Sequence, residues 1–262
     1  MRLLEHLAAH PVRTVDLGRP LVAGMPSSPT HPPFAYSLRS GHGGRERADG
    51  MTGAHDEFTM GTHVGTHVDA LCHVALNGRI ADGRLVQSET GRIQAGGIEE
   101  FVPALRRAVL VDVPLLRGVG RLDAADPVTA DDLDRIEVPI GAGDAVLVRT
   151  GWSQLWERPD RYVGTATGVP GVDESAARWL VDHRVALVGA DTIALERIAP
   201  RTGHASLPVH RILLAEAGIN LVEVMDLEPV AGHQEFALAC APLRLAGATG
   251  APVRPLAFLD EQ

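Results

Sequence analysis

Eleven residues constrain this chain more than any others: His63-Val64-Gly65-Thr66-His67-Val68-Asp69-Ala70-Leu71-Cys72-His73 holds three histidines and an aspartate, with no lysine or arginine among them. Imidazole nitrogen combined with carboxylate oxygen suits zinc, manganese or iron(II). His63, Gly65, His67, Asp69 and His73 are all odd-numbered, so an extended chain would point them to one side. A straight strand nevertheless fails, because His63 and His67 would have Cα atoms ~13 Å apart, too far for parallel imidazoles to share one ion at about 2.1 Å each. The chain must bend between them, and Gly65 at the midpoint permits the backbone angles required. A helix would bring His63 and His67 together but turn Asp69 away. The helical zinc-protease pattern is excluded as well, since Val64 stands where that motif carries glutamate and Gly65 would weaken the helix. Lone histidines are more often surface or satisfied core residues; four convergent groups around a glycine bend read as a metal site.

A second carboxylate stands out further on. Ile219-Asn220-Leu221-Val222-Glu223-Val224-Met225 reads as a strand with one acid among apolar residues. A glutamate buried there is costly unless paired, and a metal ion would be such a partner. The alternative is a half-buried strand with Glu223 turned to water.

Composition bounds the rest. At 262 residues one sizeable core suffices, and a single domain over residues 1–262 is the economical expectation. A formal charge of −9 without a basic run argues against a nucleic-acid partner, and 4 % aromatic content argues against base-stacking platforms. Cys72 and Cys240 are the only cysteines, so no disulfide framework is indicated. Cys72, at an even position between apolar neighbours, reads as a small core residue more than as a thiolate ligand. The apolar run at the start breaks at once in Met1-Arg2-Leu3-Leu4-Glu5-His6, and no segment approaches membrane-spanning length, so a cytoplasmic protein with no membrane partner is expected. There is no G-x-S-x-G elbow and no P-loop, and Gly141-Ala142-Gly143 lacks the third glycine of a dinucleotide fingerprint.

Along the chain, residues 1–10 read as a short amphipathic helix ended by Pro11, and Thr14-Val15-Asp16-Leu17 as a strand. Residues 24–33 are too proline-rich for helix or central strand. A short helix is expected from Ile98 to Ala104, then a buried strand over residues 108–113. Thr129 with Asp132 reads as a capping-box-like helix start. Buried strands are expected between Gly143 and Trp152 and over residues 185–192, with a helix from Gly171 through about Asp182 between them. His210 to Gly218 reads as a helix stopped by the glycine. Arg149 and Trp152 are expected to serve structure more than a pocket. Alternating helices and strands too apolar to face water predict an α/β protein with a mixed sheet.

His63-x-Gly65-Thr66-His67-x-Asp69-x-x-x-His73 resembles the HxGTHxDxxxH signature of the metal-dependent cyclase family, which includes bacterial kynurenine formamidase, isatin hydrolase, a dienelactone hydrolase and some polyketide cyclases. Further stretches carry the same resemblance: Asp16 through Pro33, residues 143–152, His210 through Glu223, and Gly247 through Pro255. It implies a swivelling β/β/α fold, usually a homodimer or homotetramer, acting on a small molecule. It implies hydrolysis of a carbonyl C–N or C–O bond in a cyclic amide, an aryl formamide or a lactone. His63, His67 and Asp69 would hold zinc or manganese, which lowers the pKa of a bound water and polarises the carbonyl. His73 would be the general base, and His210 and Glu223 would complete a second ion bridged by Asp69, or support a single one. Ser28 stands where kynurenine formamidases carry a tryptophan against their aromatic substrate, which counts against that assignment. A polyketide-type cyclase, or a non-catalytic metal-binding protein that keeps the fold, is the alternative.

Overall fold

Apolar runs with no polar alternation form strands covered on both faces, and four such runs make the centre of this molecule. The computed structural model describes residues 12–43 and 47–260; the helix expected over residues 1–10 lies outside them. The strands are β1 (Val12–Asp16), β2 (Ala35–Ser40), β3 (His55–Thr59), β4 (His67–Asp69), β5 (Ala104–Asp112), β6 (Pro127–Val128), β7 (Ala145–Arg149), β8 (Gly171–Val172), β9 (Leu187–Ala190), β10 (Asn220–Glu223), β11 (Glu235–Cys240), β12 (Gly250–Pro252) and β13 (Leu256–Asp260). Nine of them form one sheet in the order β1-β13-β11-β5-β7-β9-β10-β4-β12. Its centre, β5-β7-β9-β10, is parallel. Both wings are antiparallel, which gives the mixed sheet of an α/β fold. β2 pairs with β3, and β6 with β8, outside it.

The two-residue period of the strands sorts side chains between two cores. Ala145 and Leu147 join Leu110, Leu187 and Val222 on one face. Val146 and Val148 join Val111, Val188 and Leu221 on the other, under Ala176, Ala177 and Leu180 of the helix Glu174–Asp182. That helix starts where expected, its Asp173 cap accepting from Ala176 N at 3.0 Å. Thr129 and Asp132 form the capping box of the helix Ala130–Asp134. A third cluster, with Trp152, Trp156 and Tyr162, includes Val64 and Val224 and so packs beside the histidine segment.

Two elements differ from expectation. Only Ile98–Glu100 is helical, as a single 3-10 turn. Pro103 disfavours helical geometry at Val102 and keeps the chain extended into β5. β5 therefore begins at Ala104, four residues before the apolar run, because antiparallel pairing with β11 continues through Leu105, Arg106 and Arg107. Arg149 and Trp152 both have buried partners within the fold. Arg149 pairs with Asp112 and Glu228, and Trp152 Nε1 donates to the Tyr162 carbonyl at 2.8 Å.

Candidate metal centre

Register across two strands assembles the core of the site. β4 lies antiparallel to β10 with His67 opposite Glu223 and Asp69 opposite Leu221, so the His67, Asp69 and Glu223 side chains share one face. Glu223 is therefore turned inward and buried, not toward water. His63 joins through the bend: Gly65 has φ +68°, and a Cβ there would lie 2.5 Å from Leu21 Cδ2. Alternation along an extended chain is not what gathers the odd-numbered residues, since only 67–69 are strand and His73 arrives on the 3-10 turn Leu71–His73. His210 comes from α-helical Pro208–His210, which widens into a π-type turn over Arg211–Glu216. Just past Glu223, Val224 sits at φ +58°, a strained setting for a β-branched residue, held by Thr66 Oγ1 donating to its carbonyl at 2.6 Å.

The six expected residues meet. His67 Nε2 lies 3.3 Å from Asp69 Oδ1 and 3.5 Å from Glu223 Oε2. His210 Nε2 lies 3.2 Å from Glu223 Oε1 and 3.5 Å from Asp69 Oδ2. His63 Nδ1 contacts Asp69 Oδ1 at 2.7 Å while its Nε2 faces Thr249 Oγ1 at 2.9 Å, so both of its ring nitrogens are engaged. His73 Nε2 stands 4.0 Å from Asp69 Oδ2, its ring stacked on His63 with centroids 3.9 Å apart. Its side chain is 24 % exposed, against 6 % or less for the other five. Among the described residues the ligand atoms of His63, Asp69 and His73 lie within 4.8 Å of one another, as do those of His67, Asp69 and Glu223. Asp69 belongs to both groups.

The electrostatics call for a cation. His67 Nε2, Asp69 Oδ2 and Glu223 Oε1 are buried without hydrogen-bond partners, which is costly for polar atoms in an apolar interior. Burial disfavours the charged imidazole at His67 and His210, yet the adjacent carboxylates outweigh it and raise both pKa values, His210 strongly. Burial would raise the Asp69 carboxyl, but the surrounding histidines hold it well below its ordinary range. His73 goes the other way. Burial, with His63, His210 and His67 against it, lowers it to about 4 despite Asp69, leaving a neutral imidazole at pH 7. His67 Nδ1 faces the Gly65 carbonyl at 2.8 Å, an arrangement that leaves Nε2 as the lone-pair nitrogen toward the carboxylates. These donors fit a divalent ion. Cys72 does not join them; it is buried, its thiol pushed up to about 11 chiefly by burial.

Two contacts were not anticipated from sequence: Glu196 meets His210 and Thr249 meets His63. The His31 ring lies 5.3 Å from that of His63, which brings to the site the proline-rich loop whose Ser28 the resemblance sets against a substrate. The visible signal for Glu196 is an acid directly after apolar Ile193-Ala194-Leu195. Ser28 is buried and shares a 2.8 Å hydrogen bond with Thr30 within that same loop.

A model of the putative cyclase family matches residues 15–197. Cyclase-like protein 3 of Oryza sativa subsp. japonica is 31 % identical over 210 residues, 79 % of this chain, and the match spans 66 % of that protein's length. Kynurenine formamidase of Geobacillus thermodenitrificans (strain NG80-2) is 26 % identical over 243 residues, covering 92 % of this chain and 94 % of the relative. A crystal structure of a novel cyclase superposes with a TM-score of 0.83 at 26 % identity, over 98 % of this chain and 93 % of the other.

Proposed function

The chain belongs to the putative cyclase family, and from that premise we propose that it is a metal-dependent hydrolase of a carbonyl C–N or C–O bond in a small cyclic amide, formamide or lactone. One observation carries the reading: His67 Nε2, Asp69 Oδ2 and Glu223 Oε1 are buried without hydrogen-bond partners, in a group whose ligand atoms lie within 4.8 Å of one another beside a neutral and partly exposed His73. A kynurenine formamidase among the relatives supports hydrolysis as the class of reaction. The resemblance sets His63 and His67 on one ion, whereas the grouping here puts His67 with Asp69 and Glu223, which would hold one zinc or manganese ion. His63 and His210, each in contact with Asp69, would add ligands to it or to a second ion. A divalent ion there would lower the pKa of water and polarise a carbonyl oxygen.

The chain's own residues supply the rest. His73 is placed to take the proton of the attacking water as its oxygen bonds to the carbonyl carbon. It then returns that proton to the leaving nitrogen or oxygen as the C–N or C–O bond breaks. Stacking on His63 fixes its ring plane, and its low pKa keeps it a base throughout the neutral range. Asp69 and Glu223 hold the imidazoles around them at fixed angles. The apolar cluster around Val64, Val224 and Trp152 limits water on the inner side.

The test is hydrolysis of isatin, N-formylkynurenine and a dienelactone by protein stripped of metal and then reloaded with Zn²⁺ or Mn²⁺. Turnover of at least one that appears only on reloading is expected. N-formylkynurenine should be the weakest of the three, because Ser28 offers no ring to stack on an aromatic substrate. Turnover equal with and without metal would defeat the proposal.

A further inference from the structure

We propose that Glu196 is a positioning residue that turns His210 toward the ion, and that Gly171 and Leu195 are placed to hold Glu196 there. The inference rests on the proposed role of His210 as a ligand. Glu196 is buried at 1 % exposure, and unlike His210, whose Nε2 faces Asp69 and Glu223, both its oxygens are turned to the helix start and not to those carboxylates. Its Oε1 accepts from His210 Nδ1 at 2.5 Å and from His210 N at 3.0 Å, and its Oε2 accepts from Val209 N at 3.4 Å. Both oxygens are engaged by the start of one helical run. A simple helix cap accounts for the two backbone bonds but not for the short contact to the ring. With the shared proton on Nδ1, the lone pair of His210 lies on Nε2, the atom facing Glu223 and Asp69.

The backbone around Glu196 is built for this. Leu195 sits at φ +51°, in the left-handed region that a branched side chain seldom adopts. Val172 N donates to the Leu195 carbonyl at 3.1 Å and Arg197 N donates to the Val172 carbonyl at 3.0 Å, so the chain is pinned to β8 on both sides of Glu196. That approach leaves no room for a side chain at residue 171: a Cβ on Gly171 would collide with the Leu195 carbonyl oxygen and lie 2.6 Å from the Glu196 carbonyl carbon. A buried acid, a left-handed leucine and an obligatory glycine thus converge on one contact. The result is a carboxylate–histidine pair that sets ring orientation and tautomer before any ion arrives.

The experiment titrates Zn²⁺ and Co²⁺ into metal-free wild type, His210→Ala, Glu196→Gln and Gly171→Ala, reading affinity by chelator competition and coordination by the visible Co²⁺ spectrum. His210→Ala identifies which ion depends on that ring. Glu196→Gln should weaken the same ion about 10–100-fold and alter its Co²⁺ spectrum, leaving the metal-free melting temperature close to wild type. Gly171→Ala, which displaces the carboxylate without changing it, should weaken the same ion. If His210→Ala weakens an ion and Glu196→Gln does not, the inference is wrong and the hydrolase proposal stands. A uniform fall in all ion affinities together with the metal-free melting temperature would reduce Glu196 to a cap and also overturn it. Wild type that binds no ion, or ions indifferent to His210→Ala, would remove the metal reading and this inference together.

Discussion

Replacing Arg149 separates a structural role from a substrate-binding one. Its guanidinium bonds Asp112 Oδ1 at 2.7 Å and clasps both oxygens of Glu228 at 2.9 and 3.0 Å, with only 9 % of its side chain exposed. Arg149→Met keeps the length and the packing but strands the Asp112 carboxylate, itself 9 % exposed. Breaking a buried pair from one side costs about 3–5 kcal/mol. Asp112 retains donors from Leu115 N at 3.2 Å and Gly232 N at 3.1 Å, which favours the low end, about 3 kcal/mol. Glu228 is 31 % exposed and can rehydrate, so its share adds at most about 1 kcal/mol. For a chain of this size the combined loss of about 3–4 kcal/mol should lower the melting temperature by about 6–16 °C, at roughly 2–4 °C per kcal/mol. Calorimetry on both proteins with metal removed reads the shift, and Arg149→Met/Asp112→Asn should recover most of it. An unchanged melting temperature with a raised KM would refute the reasoning and make Arg149 a substrate contact.

Three further outcomes are expected. His73→Ala should keep its metal and fold but lose roughly 10²–10⁴-fold in turnover, read by steady-state kinetics beside elemental analysis; loss of the ion instead would make His73 a ligand. Adding Zn²⁺ or Mn²⁺ to the stripped protein at a hundredfold excess over its Kd should add about 2.7 kcal/mol of stability, and Asp69→Asn should abolish most of that gain in a thermal melt. Asp191, fully buried at the end of β9, has its carboxyl raised to about 6, chiefly by burial and against the bonds from Thr150, so a carboxyl NMR titration should find its midpoint well above 3.8. A raised acid is favoured while protonated, so its contribution is complete below pH 3.8 and is lost as pH rises through about 6, an effect of about 3 kcal/mol; a midpoint near 4 would contradict it.

The site was legible in sequence to the extent that short-range geometry dictated it. His63, His67 and Asp69 could not share an ion without a bend, and only Gly65 offered one. Glu223 was legible because an acid in an apolar strand needs a partner, whereas its register opposite His67 joins segments that no local pattern connects. Glu196 escaped for the same reason: its contact with His210 depends on how residues 195–197 lie against β8, and a single acid carries no periodicity. Thr249 meets His63 across 186 positions of chain. The central parallel strands could be read because they are apolar on both faces. The first residues of β5 could not, because Leu105 and Arg107 point outward and Arg106 is half-buried, so tertiary pairing with β11 sets that boundary.

β4 has only three residues, and among the described residues it alone joins β12 to the rest of the large sheet. So short a strand contributes few ladder bonds, yet it carries His67 and Asp69, and its neighbour β10 carries Glu223. The ligands therefore straddle a seam in the sheet. With a cation between them the carboxylates act as rivets across that seam; without one, only the imidazoles of His67 and His210 stand between Asp69 and Glu223, and the seam is held less tightly. Ion loss should register first as faster amide exchange at Val68 and Ala251, long before the parallel centre loosens, so that emptying the site and fraying this edge become a single event.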